Sequence, residues 1–214
     1  MGEVLQSFEA FSNAFTFTLM LIVAIGLQNT YVLRQGILGR HVFAAVITCV
    51  ISDWLLIFLG CMGLGSFIAS NDTFRQLAIT GGILFLSYYG TRSWRRAYQG
   101  HESSSATDED PDVATLQRVV LTALGFTFLN PHVLLETVVL IGTQSGLYPD
   151  FGDRISFMLG SFSAAAFWFF LLGYGAYFLR PLFLKPAAGR ILDFCIGLIM
   201  FLIAIKLGIE EFFH

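Results

Sequence analysis

The sequence predicts an all-α membrane protein: six transmembrane helices, arranged as two inverted three-helix repeats, with helices 1 and 4 broken. Three observations predict it: a composition too apolar for water, apolar windows of spanning length, and a likeness between the two halves. Of 214 residues, 56% are hydrophobic, 13% are charged and 23 are Phe, whereas a soluble domain carries roughly 25% charged residues. A net charge of -3 shows no basic excess, so nothing points to nucleic acid.

Charge-free windows locate the spans, each needing about 20 apolar residues. Residues 10–33 and 155–179 contain no charge and hold spans 1 and 5. Asp53 is the only formal charge between Arg40 and Asp72, and Glu136 the only one between Arg118 and Asp150. Spans 2 and 4 are therefore expected to carry one buried carboxylate each. Residues 76–91 and 194–205 are short for spans 3 and 6, but Arg92, Arg95, Arg96, Arg190 and Lys206 can snorkel to lengthen them. The polar, acidic stretch of residues 100–115 reads as a linker. It separates a first repeat (1–99) from a second (116–214).

The first Lys or Arg is Arg34, so the positive n-region of a signal peptide is missing and span 1 is expected to be retained. Loops after spans 1, 3 and 5 hold Arg34, Arg40, Arg92, Arg95, Arg96, Arg118, Arg180, Lys185 and Arg190, nine of the twelve basic residues. The positive-inside rule makes that side cytoplasmic and leaves both termini outside. Three spans per half then invert the halves. Aligning Asn29 with Asn130 also matches Val32 with Val133 and Leu33 with Leu134, and sets Gln35 against Glu136. If the loop after span 4 is allowed extra residues, Trp54 falls beside Trp168, and Gly81, Phe85 and Leu86 beside Gly197, Phe201 and Leu202. Inverted repeats are a transporter architecture, with the site near the midplane between halves.

Two interruptions of the apolar pattern carry the chemistry. In span 1, Gly26 stands beside Gln28, Asn29 and Thr30, polar groups that lipid does not tolerate. In span 4, Asn130-Pro131-His132 removes a backbone hydrogen bond and pushes Asn130 out of helical geometry. Half-helix ends exposed this way are tolerated where they line a cavity, and their N-terminal dipoles favour an anion such as a carboxylate. The alternatives are a simple proline kink in span 4 and interhelical amide bonding in span 1. His132 and Glu136, four apart, share a face of a continuing helix and with Asp53 make three titratable groups at membrane depth. Such groups are cation ligands, proton carriers or both, unless they form a structural cluster. A metal site from the three is a weaker reading.

Trp54 and Trp168 are expected to pack or to sit at the interface rather than bind ligand. The glycines at 60, 63, 65, 81, 82, 173 and 175 are expected to permit close helix packing, and such faces permit a homodimer. Cys49, Cys61 and Cys195 have no metal-ligand spacing and read as buried apolar residues. An intramembrane enzyme using His132 with Asp53 or Glu136 finds no nucleophile motif or cofactor fingerprint, so neither an enzyme nor a cofactor is expected.

The runs GLQNTYVLRQGI (residues 26–37) and FLNPHVLLETVVLIG (128–142), with ISDW (51–54) and SFSAAAFWFF (161–170), resemble the LysE-type exporters of basic amino acids. The resemblance covers essentially the whole chain. It implies efflux of L-lysine or L-arginine across a bacterial inner membrane, driven by the electrochemical gradient. Export of a cation against a negative interior needs something to come in, and protons are the expected coupling partner. Gln28, Asn29, Asp53, Asn130, Pro131, His132 and Glu136 match the family's motif positions as substrate-binding residues, with Asp53 and Glu136 suited to proton coupling. Two positions depart: Leu27 stands where the family usually has Pro or Ala, implying a gentler first break, and Glu136 where it usually has Asp. The longer carboxylate leaves related substrates open, namely neutral amino acids or a metal cation.

Overall fold

The computed structural model describes residues 2–23, 26–64, 72–99, 115–179 and 186–212, and all of its described secondary structure is helical. The expected linker lies outside these residues except for Thr115. The first broken element is α1 (Gly2–Val23) and α2 (Leu27–Leu38). Next come α3 (Val42–Leu59), extended by a π-helical turn over Gly60–Leu64, and α4 (Asp72–Gln99). The second broken element runs from α5 (Leu116–Phe128) through α6 (Pro131–Leu134) and a π-helical turn (Leu135–Leu140) to α7 (Ile141–Ser145). The chain continues through α8 (Phe151–Gly175), which ends in the 3₁₀ turn Ala176–Leu179, to α9 (Pro186–Phe212).

Among the described residues two helices are long and apolar enough to cross a bilayer. They are Val42–Gly63, with mean hydropathy 2.4, and Phe151–Phe178, with 1.9; the bent pair Leu5–Val23 and Leu27–Leu38 makes a third if counted as one span. α4 and α9 hold 28 and 27 residues, and at about 1.5 Å rise per residue they also exceed the hydrocarbon thickness.

Local chemistry sets the ends of these helices. Asp150 caps α8 through the Gly152 and Asp153 amides at 2.9 and 3.4 Å, and Thr115 caps α5 through the Arg118 amide. Gly39, at φ 69°, closes α2 in the left-handed conformation that glycine adopts without strain.

Helix α1 packs along α8, and α4 along α9, as the two most extensive pairs; α3 packs on α8 and α5, and α2 on α8. Small residues make these contacts close, as expected where lipid supplies no hydrophobic drive between helices. A Cβ on Gly160 of α8 would stand 2.2 Å from the Phe11 carbonyl of α1, and one on Gly36 of α2 the same distance from the Gly173 carbonyl. Thr18 donates to Ser161 at 2.9 Å and Ser7 to Asp153 at 2.7 Å along the α1–α8 seam. An aromatic knot joins α2, α4 and α5, with Phe126 4.8 to 5.3 Å from Tyr31, Phe85 and Tyr89.

Three expectations need correction. Of the glycines expected in close packing, Gly60 and Gly173 meet that role, but nothing lies within 4 Å of a Cβ on Gly63 or Gly175. Gly63 instead serves a backbone bend at φ 93°, and Gly81 is only loosely approached, by Leu129 at 4.0 Å. Gly65 and the surroundings of Gly82 lie outside the described residues. Cys49 and Cys61 are buried, but Cys195 is exposed. Arg34, Arg92, Arg95, Arg96, Arg118 and Arg190, assigned to loops by charge counting, lie inside α2, α4, α5 and α9, and the Arg34 side chain is only 8% exposed.

Candidate functional site

The first break follows from Gly26, the N-cap of α2 in extended conformation (φ -106°, ψ 174°), which offers no side-chain cap. The axes of α1 and α2 meet at 78°. That is a sharp bend, and Leu27, the first residue after it, is fully buried in the core. The first intrahelical bond of α2 runs from the Thr30 amide to the Gly26 carbonyl at 3.0 Å, which the Thr30 hydroxyl also reaches at 2.9 Å. Amides before it have no acceptor within the helix.

Polar side chains gather at this break. Asn29 donates its amide to the Ile22 carbonyl in the last turn of α1, bridging the interruption, and its Oδ1 accepts from Trp168 Nε1 at 3.1 Å. Gln28 Nε2 donates to Asp53 Oδ1 of α3 at 3.1 Å. Asp53 is 2% exposed and meets no cation among the described residues. Gln28 and Asp53 are thus brought together, while Asn29 turns to Ile22 and Trp168. Trp168, expected to pack or to sit at the interface, reaches the break through its bond to Asn29. Trp54 behaves as expected for packing, stacking on Phe162 at 5.1 Å and donating to its carbonyl at 2.9 Å.

The second break falls where Asn130-Pro131 places it. Leu129 ends α5 with φ -94° and ψ 7°, and the next helix starts at Pro131, the first-turn position that proline tolerates best. Asn130 is buried, and its carbonyl accepts the Leu134 amide at 3.2 Å. The side chains of Pro131, His132 and Glu136 lie outside the described residues; the backbone puts Glu136 in the π-helical turn Leu135–Leu140. Single π turns inside α-helices recur at functional sites. This one packs against the π turn ending α3, where a Cβ on Gly60 would stand 2.6 Å from the Val138 carbonyl.

Two further polar residues were missed by sequence reading. Arg34 Nε lies 3.6 Å from Asp193 Oδ1 on α9, both side chains being almost fully buried, so an ion pair ties the two halves together. Gln35 is fully buried, and neither atom of its amide has a hydrogen-bond partner among the described residues. Tyr31, one turn earlier, spends its hydroxyl on the Val119 carbonyl at 3.3 Å. The alignment of Gln35 with Glu136 was the signal that could have singled Gln35 out.

A translocator family model, described as LysE type translocator, matches residues 19–211 and so includes both breaks, Asp53 and Asp193. The chain belongs to the LysE-type translocator family. Among its relatives, the YggA protein of Aeromonas salmonicida, whose name assigns it provisionally to amino-acid transport, is 34% identical over 92% of this chain and 94% of its own length. The arginine exporter ArgO of Yersinia enterocolitica is 33% identical over 92% of this chain and 95% of its own. Rv0488 of Mycobacterium tuberculosis, also named provisionally for amino-acid transport, is 40% identical over 86% and 90%. No solved structure matches the chain significantly. Membership in the LysE type makes the protein a membrane translocator rather than an enzyme.

Proposed function

We propose that this LysE-type translocator exports L-arginine or L-lysine from the bacterial cytoplasm by proton antiport, with alternating access between two inverted three-helix repeats. The observation that carries the reading is Asp53, a carboxylate buried beside the broken first span and held by one amide donor from Gln28. A carboxylate at membrane depth is expensive until it binds a proton or a cation. A single site that binds either, but not both, couples inward proton flow to outward movement of a cationic substrate.

Electrostatics require such coupling. Moving one positive charge outward against the membrane potential costs about 2.3 kcal/mol per 100 mV. Exchanging one proton for one monocation is electroneutral and leaves the pH gradient as the driving force. In this scheme the uncapped N-terminus of α2 and the turn at Asn130 receive the substrate carboxylate. Asp53 and Glu136 divide the cation and the proton, with Pro131 and His132 shaping the second break.

The packing pattern supports the inverted-repeat reading. Exchanging spans 1 with 4, 2 with 5 and 3 with 6 turns the contact of α1 with α8 into that of α5 with α3, and turns the α4–α9 contact into itself; all three contacts are made. The ArgO name supports a basic substrate. The positive-inside count supports a cytoplasmic placement of the Arg-rich helix ends and external termini.

The test is efflux of radiolabelled arginine, lysine and a neutral amino acid from preloaded proteoliposomes, with and without a pH gradient. Wild type is expected to release basic amino acids selectively and faster under an inward proton gradient, and Asp53→Asn to lose that stimulation. Release of the neutral amino acid alone would move the assignment to neutral substrates. Unchanged gradient stimulation in Asp53→Asn would remove Asp53 from the coupling role.

A further inference from the structure

We infer that the seam between the C-terminal part of α4 and the N-terminal part of α9 is a binding site for an anionic phospholipid. A groove of about 700 Å³ opens there. Its floor is aromatic: Trp94 stacks on Phe194 at 6.0 Å and tilts against Phe201 at 4.7 Å. Glycines bring the two helices this close, since a Cβ on Gly197 would stand 2.1 Å from the Trp94 ring and one on Gly90 3.0 Å from Phe201. Trp94 also donates to the Phe194 carbonyl at 3.3 Å, which fixes the ring as a wall of the groove. Ile191, 63% exposed, extends the apolar surface outward.

Charge completes the site. Arg95 from α4 and Arg190 from α9 line the same groove, both exposed, and a second cavity of about 500 Å³ is lined by Arg95 and Arg92. An apolar trough ending at cations from two helices matches an amphiphile with an acyl chain and a phosphate headgroup. The aromatic residues Trp94 and Tyr98 near the arginines suit the headgroup level of a bilayer. Residues 101–112 of this chain also carry acids, but HESSSATDEDPD holds no large apolar residue that could fill an aromatic groove. A phospholipid supplies both halves of the complement. The inference needs only the membrane setting of the family and is independent of which solute is exported.

The test is native mass spectrometry of the purified full chain in a nonionic detergent, titrated with phosphatidylglycerol, phosphatidylcholine or glycerol 3-phosphate. Phosphatidylglycerol is expected to be retained over phosphatidylcholine, and Arg95→Gln/Arg190→Gln to remove about thirtyfold of its affinity, from about 1 kcal/mol for each arginine. Ile191→Glu, an exposed single change that sets a carboxylate in the trough, is expected to act in the same direction. Neutralising Glu102, Asp108, Glu109 and Asp110 to their amides is expected to leave lipid retention unchanged. Equal retention of the two lipids, or unchanged retention in both groove variants, would overturn the site. Competition by glycerol 3-phosphate as strong as by lipid would make it a soluble-phosphate site, and retention that rises only when the acidic segment is neutralised would make that segment the occupant.

Discussion

Asp53 and Asp193 are buried to nearly the same degree, at 2% and 3% exposure, yet the chain surrounds them differently. Asp193 faces a guanidinium that the chain itself supplies, Arg34 at 3.6 Å. Asp53 receives an amide hydrogen from Gln28 at 3.1 Å and no cation among the described residues. A buried carboxylate with its counter-ion built in is a structural element; one whose counter-ion must arrive from outside can respond to solute and proton. The contrast explains how one small bundle holds buried acids of two kinds.

The largest expected effect separates the two sites. Asp53→Asn nearly conserves shape and keeps an acceptor for Gln28, so it is expected to fold and melt like wild type while gradient-driven efflux falls about a hundredfold or more, the scale of losing a proton-transfer group. Asp193→Asn removes the carboxylate that faces the buried Arg34 guanidinium, and breaking a buried pair costs about 3–5 kcal/mol. It is expected to lower the melting temperature and the yield of monodisperse protein. Efflux assays alongside thermal melts check both, and the comparison breaks if the two variants behave alike.

A double replacement sharpens the structural half of the contrast. Replacing both partners, as in Arg34→Met/Asp193→Leu, removes the charges and the desolvation cost together, and is expected to recover most of the stability lost by the single variant. Recovery of melting temperature together with efflux would make the pair a strut between halves. Recovery of melting temperature without efflux would show that the pair must open and close during transport.

The sequence made the breaks and the polar site beside the first of them legible for local reasons. Glycine next to three polar residues in span 1, and Asn-Pro in span 4, are interruptions visible without any partner, and Gln28 and Asp53 were conspicuous as polar residues in apolar windows. The Arg34–Asp193 pair was not legible in this way. A loop-charge count treats every arginine at the edge of an apolar run as a loop marker, and the acid that faces the buried Arg34 lies far along the chain, brought in by α9. Trp168 was read as packing because the sequence does not reveal that its ring nitrogen ends on Asn29.

That last contact gives the smallest effect and the finest test of the comparison. Trp168 Nε1 fixes the Oδ1 end of Asn29, while the Asn29 amide holds the Ile22 carbonyl, so the indole orients the bridge across the first break without belonging to either aspartate. Trp168→Phe keeps an aromatic ring and removes the donor, a loss of about 1 kcal/mol for one neutral hydrogen bond. If the break receives the substrate carboxylate, that loss is expected mainly as an apparent KM for efflux raised about fivefold, with the stimulation by a pH gradient retained. Gradient stimulation lost together with KM would mean that the bridge and Asp53 act as one unit, and the division between an orienting break and a coupling carboxylate would have to be given up.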